Sequence, residues 1–115
     1  MGVTTYKRLY GPAALTATMG TNIYQGGGGS ALIYDIVRQI HVVNKTGAAA
    51  TFSAWLGGTG GNVAGTEFFN GQSVPANGVY DWYGALKMLS TDFLVGAASA
   101  LTTLTITITG EQYVY

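Results

Sequence analysis

The segment Leu101 to Thr109 alternates without interruption: Leu104, Ile106 and Ile108 fall at one parity, and Thr103, Thr105, Thr107 and Thr109 at the other. A period of two sends successive side chains to opposite faces of an extended chain. The stretch therefore predicts a β-strand with an aliphatic face on a core and a hydroxyl face that is wet or in polar contact. Threonine is branched at Cβ and suits a pleated surface, and Gly110 is expected to end the strand. A strand with one apolar face needs a second layer to cover it, so the question becomes whether the rest of the chain supplies one.

Ala31 to Asn44 admits two readings, because Leu32, Ile33, Ile36, Val37, Ile40 and Val43 also satisfy a helical spacing of three and four. The β-branched residues Ile33, Ile36, Val37, Ile40, Val42 and Val43 favour a strand, as do the glycines before it and the Lys45-Thr46-Gly47 turn after it. A strand of this length is expected to carry a bulge that switches which parity faces inward. Thr51 to Leu56 alternates Phe52, Ala54 and Leu56 against Thr51, Ser53 and Trp55, and the short connection after Asn44 makes it the expected hairpin partner of the preceding strand. Glycines 57, 58, 60, 61 and 65 predict a long loop. Thr66 to Phe69 reads as a short strand ended by an Asn70-Gly71 turn, and Val74-Pro75-Ala76-Asn77-Gly78 as a second turn. Val79 to Met88, a turn at Ser90 to Asp92, and Phe93 to Val95 follow. With two N-terminal candidates, near Tyr6 and at Ala13 to Ala17, about eight short strands result. The expected fold is an all-β, single-domain antiparallel sandwich over residues 1–115, jelly-roll or immunoglobulin-like, with residues 1–12 as a candidate docking arm.

Ten charged residues, one histidine and no cysteine leave little from which an active site or metal site could be built. Hydrophobic content of 48% excludes a disordered chain, and the 18 glycines imply many turns. Five basic and five acidic residues cancel, so no long-range field draws the protein to nucleic acid or an anionic membrane. Met1 to Tyr10 lacks the apolar stretch of a secretory signal, and no apolar run reaches the roughly 20 residues that span a bilayer. The expectation is a soluble protein, kept in a cytosol or assembled there into a larger particle.

Individual motifs favour structure over chemistry. Gly26 to Ala31 matches a dinucleotide pattern but has neither a phosphate-loop lysine nor the downstream acidic residue, and a loop explains it. His41 and Asp35 share a strand yet lie six residues, about 20 Å, apart, beyond hydrogen-bond reach. Glu67, Asp81 and Asp92 lack the alternating spacing of a calcium loop. Trp55, Tyr80, Trp82 and Tyr83 could present an aromatic platform to sugar. The competing reading buries Tyr80 and Trp82 in the core, with Asp81 and Tyr83 outside, and is favoured. Tyr6-Lys7-Arg8-Leu9-Tyr10 has the composition of a protein interface, or equally of an edge strand protected by its cations. Tyr113-Val114-Tyr115 is an anchoring strand or a contact surface. The candidate interface residues are thus Tyr6, Lys7, Arg8, Leu9, Tyr10, Trp55, Tyr113 and Tyr115; no catalytic, cofactor or metal residue is nominated.

The stretch Glu67-Phe68-Phe69-Asn70-Gly71-Gln72-Ser73-Val74-Pro75-Ala76-Asn77-Gly78-Val79-Tyr80-Asp81-Trp82, with His41-Val42-Val43-Asn44 before it, Leu101 to Thr109 after it and Leu9-Tyr10-Gly11-Pro12 at the start, resembles small β-sandwich virion proteins of tailed bacteriophages and prophages. That resemblance implies a non-enzymatic virion protein, assembled in the host cytoplasm. It would be a decoration or minor capsid protein, seated on the major capsid protein as a symmetric homo-oligomer, a trimer being favoured, without cofactor. The alternative it implies is a tail or tail-tip component touching host glycan.

Overall fold

The computed structural model describes residues 3–18, 20–58, 66–99 and 104–114. Eight strands appear among them: β1 (Val3–Ala14), β2 (Asn22–Gln25), β3 (Ile33–Asn44), β4 (Ala50–Gly57), β5 (Glu67–Val74), β6 (Val79–Met88), β7 (Phe93–Ala98) and β8 (Leu104–Val114). They form two four-stranded sheets, ordered β1-β8-β3-β6 and β2-β7-β4-β5, and every pairing within them is antiparallel. Strand 1 thus lies beside 8, 2 beside 7, 3 beside 6 and 4 beside 5, as if one long hairpin had been wrapped into a two-layer barrel. That order is a jelly roll, which decides between the two sandwich classes the sequence left open.

The core fills the space between the layers. Val37, Ile40, Val42, Leu104, Ile106 and Ile108 from the first sheet meet Phe52, Ala54, Phe69, Val74 and Leu94 from the second. The alternation in β8 is observed as expected, with Leu104, Ile106 and Ile108 buried and Thr105, Thr107 and Thr109 half-exposed. Tyr80 and Trp82 pack onto this core beside Phe68 and Phe69, with Trp82 edge-on to Phe68 at 5.0 Å, whereas Tyr83 is 71% exposed. The favoured reading of those aromatics is the observed one.

The expected parity switch in β3 is also present. Asp35 and Val37 are buried, Arg38 is exposed, and burial resumes at Ile40, Val42 and Asn44. Across this point β8 advances one residue, Thr109 to Gly110, while β3 advances two, from Gln39 to Val37. Gly110 does not end β8, contrary to expectation. It pairs with Val37 and Lys7 inside the ladder, and a Cβ there would lie 2.1 Å from the Ile36 carbonyl oxygen. The glycine is required by the close approach of the bulged neighbour, and the strand continues to Val114.

Three further expectations are corrected. β4 is not the hairpin partner of β3; the two lie in different sheets, and the chain crosses between them after Asn44. The Asn44 side chain braces the crossing: it donates to the carbonyls of Ala48 (2.9 Å) and Val74 (3.1 Å) and accepts from the Thr46 amide (2.9 Å) and hydroxyl (2.7 Å). Asn70-Gly71 does not turn the chain; it is a bulge within β5, with Gly71 at φ +61° and its amide bonded to the Ser53 hydroxyl oxygen at 2.9 Å. The candidate near Tyr6 and the start of the one at Ala13 to Ala17 fall in one strand, β1, which ends at Ala14, and β2 was not anticipated because four residues cannot establish a period. The glycine loop expected after Gly58 lies mostly outside the described residues.

Gly110→Ala is expected to destabilise the fold by about 1–3 kcal/mol, because the added methyl meets backbone on a neighbouring strand. Gly47→Ala, where a Cβ meets nothing within 4 Å, should shift stability by no more than about 0.5 kcal/mol. Urea denaturation of the two variants checks both.

Candidate interaction surface

The alternation that buries one face of the β1-β8-β3-β6 sheet turns the other face outward, and the register aligns its residues in rows. Tyr34 pairs with Tyr113, and their rings stack at 4.8 Å with planes 2° apart. The Lys87 ammonium lies 4.7 Å from the Tyr34 ring centroid, an arrangement that the ring's negative face favours. Glu111 accepts from Arg38 Nε at 2.6 Å and from the Tyr113 hydroxyl at 3.4 Å. Burial, followed by the Glu111 charge, holds the Tyr113 phenol above its ordinary pKa.

The next row joins β3 to β6. His41 pairs with Asp81 across the strands, Nδ1 to Oδ1 at 2.6 Å, and Gln39 donates to the same oxygen at 3.0 Å. These contacts, above all the histidine hydrogen bond, hold the Asp81 carboxyl below the usual aspartate value. His41 therefore has an acidic partner, but across the strand rather than the Asp35 considered along it. Asp35 points the opposite way, into the interior.

Asp35 is a fully buried carboxylate and the polar centre of one corner. Oδ2 accepts from the Tyr24 hydroxyl at 2.5 Å and the Gly27 amide at 2.6 Å, and Oδ1 accepts from the Gln112 side chain at 3.2 Å. It thereby ties β2, the Gly26–Gly29 turn, β3 and β8 together, and burial with this hydrogen bond pushes the Tyr24 phenol far above its ordinary pKa. Gly27, at φ +60°, brings its backbone so near β3 that a Cβ would lie 2.6 Å from the Ile33 carbonyl oxygen. The glycine run is thus a packed 3-10 corner between β2 and β3.

The candidate interface residues divide. Residues 3–12 of the candidate arm lie within β1, laddered along β8 from Val3 opposite Val114. Tyr6 is 68% exposed; it stands opposite Glu111, and Arg8 opposite Thr109, in the outward parity of β8 that also carries Tyr113 opposite Thr4. Lys7, at the other parity, reaches Gln112 Oε1 at 3.4 Å. Leu9 and Tyr10 pack against the core, and the Tyr10 ring meets Tyr24 at 5.9 Å. Trp55 is half-buried on β4 in the other sheet, and Tyr115 lies outside the described residues. The sequence reading missed Tyr34, Lys87 and the His41–Asp81 pair. Cross-strand register alone unites them, and the one-dimensional pattern does not carry it.

Among the described residues no three acidic or histidine side chains converge as metal ligands, and no pocket opens. No protein-family model matches the chain, and no curated protein matches it. Among solved structures it is similar to the coat protein of Tobacco streak virus, with a TM-score of 0.47 and 13% identity over 99% of this chain and 85% of that one. The jelly-roll assignment rests on this chain's own strand order.

Asp35→Ala is expected to cost about 3 kcal/mol, since it strands the half-buried Tyr24 hydroxyl and the buried Gly27 amide, and Tyr24→Phe about half as much; chemical denaturation measures both. Asp81 contributes stability that is present above its unfolded pKa and is lost as pH falls through its lowered folded value. His41→Ala should move the Asp81 titration midpoint up toward 3.8, read by carboxyl NMR.

Proposed function

We propose that this chain is a structural subunit of a virus particle, more specifically a bacteriophage decoration or minor capsid protein that binds the shell as a symmetric homo-oligomer. The strand order carries the reading: a complete jelly roll, built from 115 residues, is an architecture shared by capsid domains, lectins and cupins. Fold alone assigns no function, so the choice among these rests on where the polar chemistry goes. Arg38 and Glu111 pair with each other, Asp81 holds His41, Lys87 covers Tyr34, Asp35 pins a corner, and Asp92 accepts from the Leu89 amide at 2.8 Å. Arg38–Glu111, His41–Asp81, Lys87–Tyr34 and Asp35 join strand to strand and Asp92 closes the turn before β7, the work of a scaffold. The likeness of Glu67 to Trp82 and its flanks to phage virion proteins adds the particle in which such a scaffold would serve.

Quantitative mass spectrometry of purified particles tests this. A copy number approaching that of the major capsid subunit is expected for a shell-covering protein. A ratio far below it moves the chain to a vertex or tail position, where contact with host glycan becomes the question, and absence from particles overturns the reading.

A further inference from the structure

Among the described residues, four strands lie at the edge of a sheet: β1 and β6 in one, β2 and β5 in the other. A free edge presents unpaired backbone donors and acceptors to any second strand, and proteins usually blunt it. β1 carries Lys7, Arg8 and Pro12, and its register shifts twice. β2 has four residues. β5 is kinked at Gly71 in the left-handed region and stops before Pro75. β6 has ten residues, no proline and no residue at positive φ, and its register against β3 shifts once, between Tyr83 and Leu86. Its outward row is Val79, Asp81, Tyr83, Ala85 and Lys87, followed by Leu89 just past the strand. Val79, Tyr83 and Leu89 are 52%, 71% and 42% exposed.

We propose that β6 is a self-docking edge, through which two copies of this chain pair antiparallel about a two-fold axis at Gly84 into one continuous eight-stranded sheet. The row is self-complementary about that residue. In this register Asp81 of one copy stands opposite Lys87 of the other, twice by symmetry, Val79 opposite Leu89, and Tyr83 opposite Ala85. Directly opposed residues on neighbouring antiparallel strands have Cβ atoms about 5 Å apart, where opposite charges attract and like charges repel. A shift of the axis by one residue, to Tyr83, would set Lys87 against Val79 and Asp81 against Ala85, so charge selects the register. Both charged groups are already held at the edge, Asp81 by contacts that fall on Oδ1 and Lys87 by the Tyr34 ring. An isologous contact of this kind uses the same patch on both copies and suits a dimer, or the two-fold of a larger closed assembly. The inference rests on the reading of the chain as a self-assembling structural subunit.

Analytical ultracentrifugation of the purified chain tests it. The native protein is expected to self-associate. Asp81→Lys alone and Lys87→Asp alone each place like charges together and should weaken association by about tenfold or more. An equimolar mixture of the two variants faces lysine with aspartate at both positions and should restore it. Native-like association of either single variant, or no recovery on mixing, overturns the proposal. Melting curves establish that each variant is folded. Should Asp81→Lys fail to fold, a second measurement remains, because the chain has no cysteine. Tyr83→Cys and Ala85→Cys proteins, mixed and oxidised, should cross-link to each other in preference to themselves, and random cross-linking would count against the register. A monomeric native chain that is still found in particles would overturn this contact and leave the subunit reading standing.

Discussion

One extra residue in β3 decides how the sandwich is held together. Strict alternation allows only one parity of a strand to face a core, yet the chain needs Asp35 inside at one end of β3 and Asn44 inside at the other. The bulge at Arg38 makes both inward, and it can form because Gly110 on the adjacent strand has no side chain to collide with it. The displaced residue gains a use of its own: Arg38 turns outward and pairs with Glu111.

The two inward polar residues then fasten opposite corners. Asp35 gathers β2, the glycine turn and β8. Asn44 binds the crossing to β4 and also the end of β5 through Val74, while its own amide donates to Gly78 at the entry to β6. Buried polar groups are costly when unsatisfied and specify a unique arrangement when all their partners are present. Hydrophobic burial by itself would tolerate several pairings of eight alternating strands. These two side chains distinguish one.

Much of this was legible in the residues. The alternation of Leu104 to Thr109 marked a strand on a core, and the run of β-branched residues from Ile33 foretold both the strand and its bulge. What failed was the meaning of local punctuation. Asn44 with a short connection read as a hairpin, because a side chain that ties its own connection at Ala48 to the end of a distant strand at Val74 leaves no trace in sequence spacing. Asn70-Gly71 read as a turn because positive φ serves a bulge equally well. Gly110 read as a stop because close approach by another backbone is a property of the assembled sheet. For the surface, composition singled out Tyr6, Arg8 and Tyr113, which the ladder sets along β1 and β8 of the first sheet. It could not find Tyr34, Lys87 or the partner of His41, which become neighbours only through register.

Because β1 and β8 run side by side from Val3 and Val114, both ends of the folded chain leave from the same end of the same sheet. Polypeptide joined before Val3 and polypeptide joined after Val114 would depart as neighbours. The domain therefore has the geometry of a plug-in module: it can be set into a loop of another protein without spreading that loop apart, or its ends can be bridged by a short linker and the chain reopened elsewhere by circular permutation.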